Sequence, residues 1–340
     1  MKRLTRKRKR YLRRRSIRAE RARRKAKQRR GSTAWIEQRR AQQRAFERIQ
    51  RAPTRTVTAP SACSLIDHPV ETVRFLNEIE SACAGGSNVL VDLGDVTALT
   101  PEAVAVLLSR VRNDRFTKGM RVSGTVPREQ TLAEILAESG FFDHVVVRGP
   151  RPKTNGIGEI RTRKSFKVDA ASSFDLLQQV NQFVPGTEFA WDGIQRVIVE
   201  SMNNTENHAG GQKKGRERWW LSVYCDREAG VARFCFFDNG VGIFESLKKK
   251  GLLSQLFRAL GLQNREALLR KILAGEVRSS TGLGYRGKGL PKIAAAFKRK
   301  QFERLVILSN DVYANLAADE VRTLPVSFSG TFLYWEHHAN

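Results

Sequence analysis

The sequence predicts an α/β protein: two globular domains behind a strongly basic tail. Three observations lead there. The chain has 340 residues with 41% apolar side chains, enough for two cores rather than one. Short apolar strands alternate with helical patterns from residue 61 onward. The positive charge is concentrated at one end: residues 1–56 hold 24 Lys and Arg against Glu20, Glu37 and Glu47, a net of +21. The other 284 residues hold 37 basic and 31 acidic side chains, a net of +6. The sequence pI of about 10.7 therefore describes the tail and not the body.

Residues 1–50 contain no Pro and only Gly31, and are rich in Arg, Lys, Ala and Gln, which favours helix. Their large apolar residues are too sparse to build a core. The expectation is a solvated segment, helical from Thr33 to Arg51, and elsewhere disordered or helical only on a partner. Its charge density suits polyanions, and Tyr11 and Trp35 could stack on bases. Ala52 to Pro60 reads as a linker. No apolar h-region follows the basic start and no run reaches the ~18 residues of a membrane span, so a cytoplasmic protein is expected. Cys63, Cys83, Cys225 and Cys235 lack metal-ligand spacing; Cys225 and Cys235 fall in strand patterns and should be buried thiols.

The first domain spans 61–148. Its expected elements are a helix over Val70–Ala84, a strand over Asn88–Leu93 and a helix over Pro101–Arg112 with proline at its tolerant first position. A strand over Met120–Gly124, a helix over Gln130–Ser139 and a strand over His144–Val147 follow. Alternation of this kind implies a largely parallel sheet. Residues 149–162 read as a Gly/Pro-containing linker.

The second domain spans 165–340. Helices are expected at Ser172–Phe183 and Glu188–His208, and a hairpin at Arg218–Tyr224 and Val231–Phe237 with alternating apolar positions. Phe244–Gly275 reads as a helical insertion, Leu290–Lys298 as a helix, and Leu305–Ser309 and Thr331–Trp335 as strands.

Three segments of this domain carry chemistry. Glu200, Asn204 and His208, spaced four apart, share one helix face beside an apolar stripe of Ile194, Val197, Ile198 and Met202. A carboxylate and an amide there can hold a water and a hydrated Mg²⁺. Asp238-Asn-Gly-Val-Gly242 follows directly on a strand, so its carboxylate can accept from an exocyclic amine while the glycines admit a flat ring. Gly282, Gly284, Gly287 and Gly289, with Arg286 and Lys288 among them, precede a helix, where backbone N–H groups bind phosphate. Taken singly, each has an ordinary alternative: a solvated helix face, a strand-ending turn, a flexible linker.

In this order and context the three segments resemble the N, G1 and G2 boxes of the GHKL ATPases, the class of gyrase, Hsp90, histidine kinases and MutL. The Glu-x-x-x-Asn-x-x-x-His form is most similar to the anti-sigma-factor serine kinases. The resemblance covers roughly residues 165–340 and implies a Bergerat-type α/β sandwich, with Mg²⁺ and ATP between helices and a mixed sheet. It implies Glu200 as general base, Asn204 as Mg²⁺ ligand, and Asp238 as acceptor for the adenine amine. Gly240 and Gly242 would shape the base pocket, and Gly287 and Gly289 would wrap phosphate beside Arg286, Lys288 and His208. Gly330-Thr331 resembles the Gly-Thr element that helps bind adenine, and Phe244–Ser280 resembles a long, helical ATP lid. No dimerisation helix with a phospho-accepting His is present, and Asn207 stands where sensor kinases carry a basic residue; both depart from a histidine-kinase core.

Residues 61–148 resemble a STAS domain, the anti-sigma-antagonist fold, through Val89–Leu99, Pro101–Arg112 and Ala137–Phe142. Glu102 occupies the place of that family's phosphorylated serine, so the domain is expected to dock a protein partner or dimerise rather than accept phosphate. The combined expectation is an ATP-dependent regulatory switch, acting as an ATPase or a Ser/Thr-type protein kinase. The alternative is a nucleic-acid-associated ATPase whose basic residues 1–56 hold DNA or RNA, and a third reading is a nucleotide-binding scaffold.

Overall fold

A computed structural model describes residues 6–138, 141, 146–147, 159–165, 170–184, 191–206, 219–277 and 289–339. Two compact units divide at Pro53 and Thr54.

The first unit is one helix, α1 (Arg6–Arg51, 46 residues), about 70 Å long at 1.5 Å per residue. It begins well before the expected Thr33. Arg, Lys, Ala and Gln favour helix along its whole length, and Gly31 costs only about 1 kcal/mol. Arg48 and Arg51 sit in its last turn, where cations suit the dipole, and Pro53 ends it. Trp35, Ile36 and Phe46 are exposed. The Arg39 guanidinium lies 5.0 Å from the Trp35 ring.

The second unit opens with strands β1 (Thr54–Thr58) and β2 (Ala62–Cys63), where a linker was expected up to Pro60. The β1 strand pairs in parallel with β3 (Asn88–Asp92), Thr54 opposite Asn88. Only Val57 of β1 is buried, which is why it reads as a linker. Between them lies α2 (Pro69–Ala84), and after them come β4 (Ala98–Leu99), α3 (Pro101–Val111) and α4 (Asp114–Thr117). Strands β5 (Val122–Gly124) and β6 (Val146–Val147) flank α5 (Gln130–Glu138). The sheet order is β1-β3-β5-β6, parallel throughout, as the alternation predicts.

Strand β7 (Glu159–Ser165) falls where the linker was expected to run to residue 162. It pairs antiparallel with β8 (Trp219–Asp226), which forms a hairpin with β9 (Val231–Asp238). Helices α6 (Ala170–Phe183) and α7 (Trp191–Asn204) lie between β7 and β8 in sequence. After β9 come α8 (Ile243–Lys249), α9 (Leu253–Leu260), α10 (Arg265–Leu273) and α11 (Gly289–Lys298). The long strands β10 (Glu303–Asn315) and β11 (Glu320–His338) close the chain. The order β10-β11-β9-β8-β7 is antiparallel at every pairing, where the family resemblance implied a mixed sheet. Two hairpins joined by a helical excursion need no parallel crossover.

Both faces of this sheet are covered. Phe234 and Phe236 of β9, Leu221 and Val223 of β8 and Leu333 and Trp335 of β11 share one core with α6, α7 and α11. Phe234 stacks on Trp335 with ring centroids 5.4 Å apart. On the opposite face Trp220 stacks on Phe237 at 6.1 Å. That face meets α3 within the same compact unit: Ser222, Tyr224, Arg233, Cys235 and Tyr334 line a water-sized cavity with Pro101 and Glu102 of α3. Tyr313 donates to the Ile66 carbonyl at 2.8 Å, and Arg304 pairs with Asp67 at 3.0 Å. Cys63, Cys83, Cys225 and Cys235 are free buried thiols. No described helix is long and apolar enough to cross a membrane.

The stretch that resembles a lid is instead part of the core over its described length. Phe244, Leu247, Leu256, Leu268, Leu269 and Ile272 are buried in the same cluster as α7. Arg265 ties α10 to Glu245 of α8 at 3.3 Å and to Asp311 of β10 at 2.7 Å. Burial of that many leucines outweighs any gain from a free flap.

Candidate functional site

Side chains alternate across a strand, so Asp238 shares the helix-covered face with Phe234 and Phe236. The register places Thr331 opposite Asp238 and Ser309 opposite Thr331. Three neighbouring strands thus carry a carboxylate and two hydroxyls in a row. Ser309 Oγ lies 3.3 Å from Thr331 Oγ1. The Asp238 carboxylate accepts the Gly240 N–H at 2.7 Å and the Thr331 hydroxyl. Burial pushes its pKa from 3.8 up to about 6, against those hydrogen bonds and the charges of Arg110 and Arg115.

Two glycines here have no room for a side chain. A Cβ on Gly330, at φ +108°, would stand 2.0 Å from the Asp238 carbonyl oxygen. A Cβ on Gly242, at φ +83°, would stand 2.6 Å from Asn310 Oδ1. Asn310 fixes the turn after Asp238. Its Oδ1 accepts from Phe244 N at 3.0 Å and Glu245 N at 3.3 Å, and its Nδ2 donates to Val241 O at 2.8 Å. Its own φ of +55° marks the bulge that lets β10 continue beyond Ser309.

The second group of residues lies where α7 meets the start of α11. A Cβ on Gly289 would fall 2.5 Å from Asn204 Nδ2, so the last glycine of the loop abuts the candidate metal ligand. One turn earlier on α7, Glu200 forms an ion pair with Lys292 in the first turn of α11. Ser201 and Thr205 turn their hydroxyls back to the Val197 and Ser201 carbonyls, leaving Glu200 and Asn204 on the half-buried side.

The structure brings Asp238, Gly240, Gly242 and Thr331 together, and Glu200, Asn204 and Gly289 together. His208, Arg286, Gly287 and Lys288 lie outside the described residues. Ser309, Asn310 and Lys292 were missed from sequence. Asn310 offered a faint signal, a polar amide breaking the run Leu305–Ser309, while a lysine at Lys292 is ordinary on a helix. Glu102 is buried at the start of α3; Thr100 and Ser64 hydroxyls bond to it, and burial lifts its pKa to about 7.

No family model matches the chain, and no curated protein matches it.

Proposed function

We propose that residues 165–340 bind Mg-ATP in a GHKL-type pocket and that the chain is an ATP-dependent regulatory protein. The observation that carries this reading is the Asp238 carboxylate, buried at a strand end beside Thr331 with a glycine turn behind it. A carboxylate is held in such a place at a cost unless a ligand uses it. It offers about four acceptor positions, and the described contacts use two. The exocyclic amine of adenine fits the remainder.

Bound Mg-ATP supplies the transferable γ-phosphoryl group. Asn204, pressed against Gly289, would hold the metal through its amide oxygen at the phosphate end. Glu200 would take the proton from a water or a protein hydroxyl as that oxygen bonds to phosphorus, and the bond from phosphorus to the leaving diphosphate breaks. Lys292 neutralises Glu200 until then.

Asn204→Ala should lose Mg-dependent ATP binding, and Glu200→Ala should keep binding and lose turnover. Normal ATP binding and turnover by both variants would exclude this assignment. Labelled γ-phosphate followed in the presence of cell extract separates transfer to water from transfer to a protein hydroxyl.

The 46-residue basic helix favours a second reading, in which the ATPase acts on nucleic acid. Stimulation of turnover by DNA or RNA that disappears on deleting residues 1–50 would support it.

A further inference from the structure

The turn that carries Asp238 is gripped from behind the sheet by α3 and α4. Arg110, at the end of α3, is 1% exposed. Its Nη2 donates to the Ser329 carbonyl, and its Nη1 lies 3.6 Å from Glu80. The guanidinium sits between two rings, 4.1 Å from the centroid of Phe116 and 4.7 Å from that of Phe328. Arg115 of α4 donates to the Asn239 carbonyl, and Ser109 Oγ lies 3.3 Å from Asn239 Oδ1. The two arginines therefore hold both halves of one structure. Ser329 leads into Gly330, where any Cβ would fall 2.0 Å from the Asp238 carbonyl oxygen, and Asn239 follows Asp238 directly.

Packing alone does not call for this arrangement. Buried Nε of Arg110 makes no hydrogen bond, and buried Nη1 has only the 3.6 Å ion pair with Glu80. An apolar side chain of similar volume would fill the slot between the rings without burying a charge and an unpaired Nε donor. An arginine adds a donor for Ser329 and a positive charge behind Asp238.

We propose that Arg110, with Arg115, is a positioning residue of the nucleotide pocket, so that the packing of α3 and α4 sets the geometry and charge of the Asp238 turn. The inference rests on the proposed nucleotide site for what the turn binds, but not for how the turn is held. The charged groups facing Asp238 among the described residues are Arg110 and Arg115. Glu80 pairs with Arg110, and Lys118 acts in turn on Glu80. The Gly240 N–H and the Thr331 hydroxyl bind the carboxylate directly. Both arginines favour its charged form.

The test uses the full chain as Arg110→Met, Arg110→Lys and Arg115→Ala. Without nucleotide, amide hydrogen exchange is read at residues 239–242 and 329–331, and the Asp238 carboxyl is titrated by carbon NMR. ATP binding with Mg²⁺ is then measured from about pH 6 to about pH 8. Arg110→Met should raise the Asp238 midpoint by about half a pH unit or more, with Arg110→Lys restoring part of the shift. It should weaken ATP about twofold or more near pH 6 and less near pH 8. Arg115→Ala changes an exposed side chain, so it folds, and should speed exchange at 239–242 about threefold or more. Unchanged exchange and an unchanged Asp238 midpoint in the folded variants would overturn the proposal. If Arg110→Met fails to fold, Arg115→Ala decides it. If the wild type binds no ATP yet exchange and midpoint shift as stated, the nucleotide reading fails and the positioning role stands.

Discussion

Replacing Asp238 by asparagine should make the protein more stable while weakening its affinity for ATP. The folded chain holds this carboxyl at a pKa of about 6 against 3.8 unperturbed, with burial the largest cause. Two units correspond to about 3 kcal/mol, the cost of keeping Asp238 ionised inside the fold at neutral pH. A raised carboxyl pKa means that the folded state holds the proton more tightly. Stability from this group is complete below pH 3.8 and falls as pH rises through about 6. Asparagine keeps the shape and can still accept from the Gly240 N–H, but never ionises. The Asp238→Asn variant should therefore gain about 3 kcal/mol near pH 8, about half of that near pH 5, and almost nothing near pH 4. At roughly 2–4 °C per kcal/mol, the melting temperature should rise by about 6–12 °C near pH 8. Thermal melts of both proteins across that range read the effect. A variant no more stable than wild type near pH 8, or a gap that does not change with pH, would refute the reasoning.

Three other outcomes follow from the same geometry. Gly330→Ala puts a Cβ 2.0 Å from a backbone oxygen at φ +108°, so it should cost about 3 kcal/mol or more, read as a loss of melting temperature. Gly289→Ala crowds Asn204 at 2.5 Å; ATP affinity in excess Mg²⁺ should fall about tenfold, with a smaller loss in chelator, as titration calorimetry in the two buffers would show. Deleting residues 1–53 should leave the second unit folded, by far-ultraviolet circular dichroism and a cooperative melt, and should remove salt-dependent binding to a nucleic-acid duplex.

Much of this was legible in the sequence, for identifiable physical reasons. Alternation of apolar strands with periodic helices gave the parallel sheet of the small domain and the helix–strand order of the larger one. The edge strands β1 and β7 were lost to linkers because Thr-Arg-Thr-Val-Thr and Glu-Ile-Arg-Thr-Arg-Lys-Ser carry one apolar residue each, too few to announce a strand. Strand β9 held a signal that alternation missed. Val231-Ala-Arg-Phe-Cys-Phe-Phe237 is apolar at both parities, the mark of a sheet covered on both faces. Helix α3 provides the second cover. In the site, the spacing of Glu200 and Asn204 and the strand-end position of Asp238 were readable because helix and strand periods fix them. Lys292 and Asn310 act through tertiary contacts 92 and at least 65 residues away in the chain, which no local pattern encodes. Arg110 could have been noticed, since it is the lone charge after six successive small or apolar residues in Ala103–Leu108 and Ser109.

The central claim is that Asp238 reads an adenine amine. Titration of ATP and GTP, each with Mg²⁺, into the wild type and Asp238→Asn tests it directly. A guanine offers an acceptor where adenine offers a donor, so the wild type should prefer ATP by about a hundredfold or more, and Asp238→Asn should lose that preference. Equal binding of the two nucleotides by the wild type, or ATP bound by Asp238→Asn as tightly as by wild type, would contradict the account.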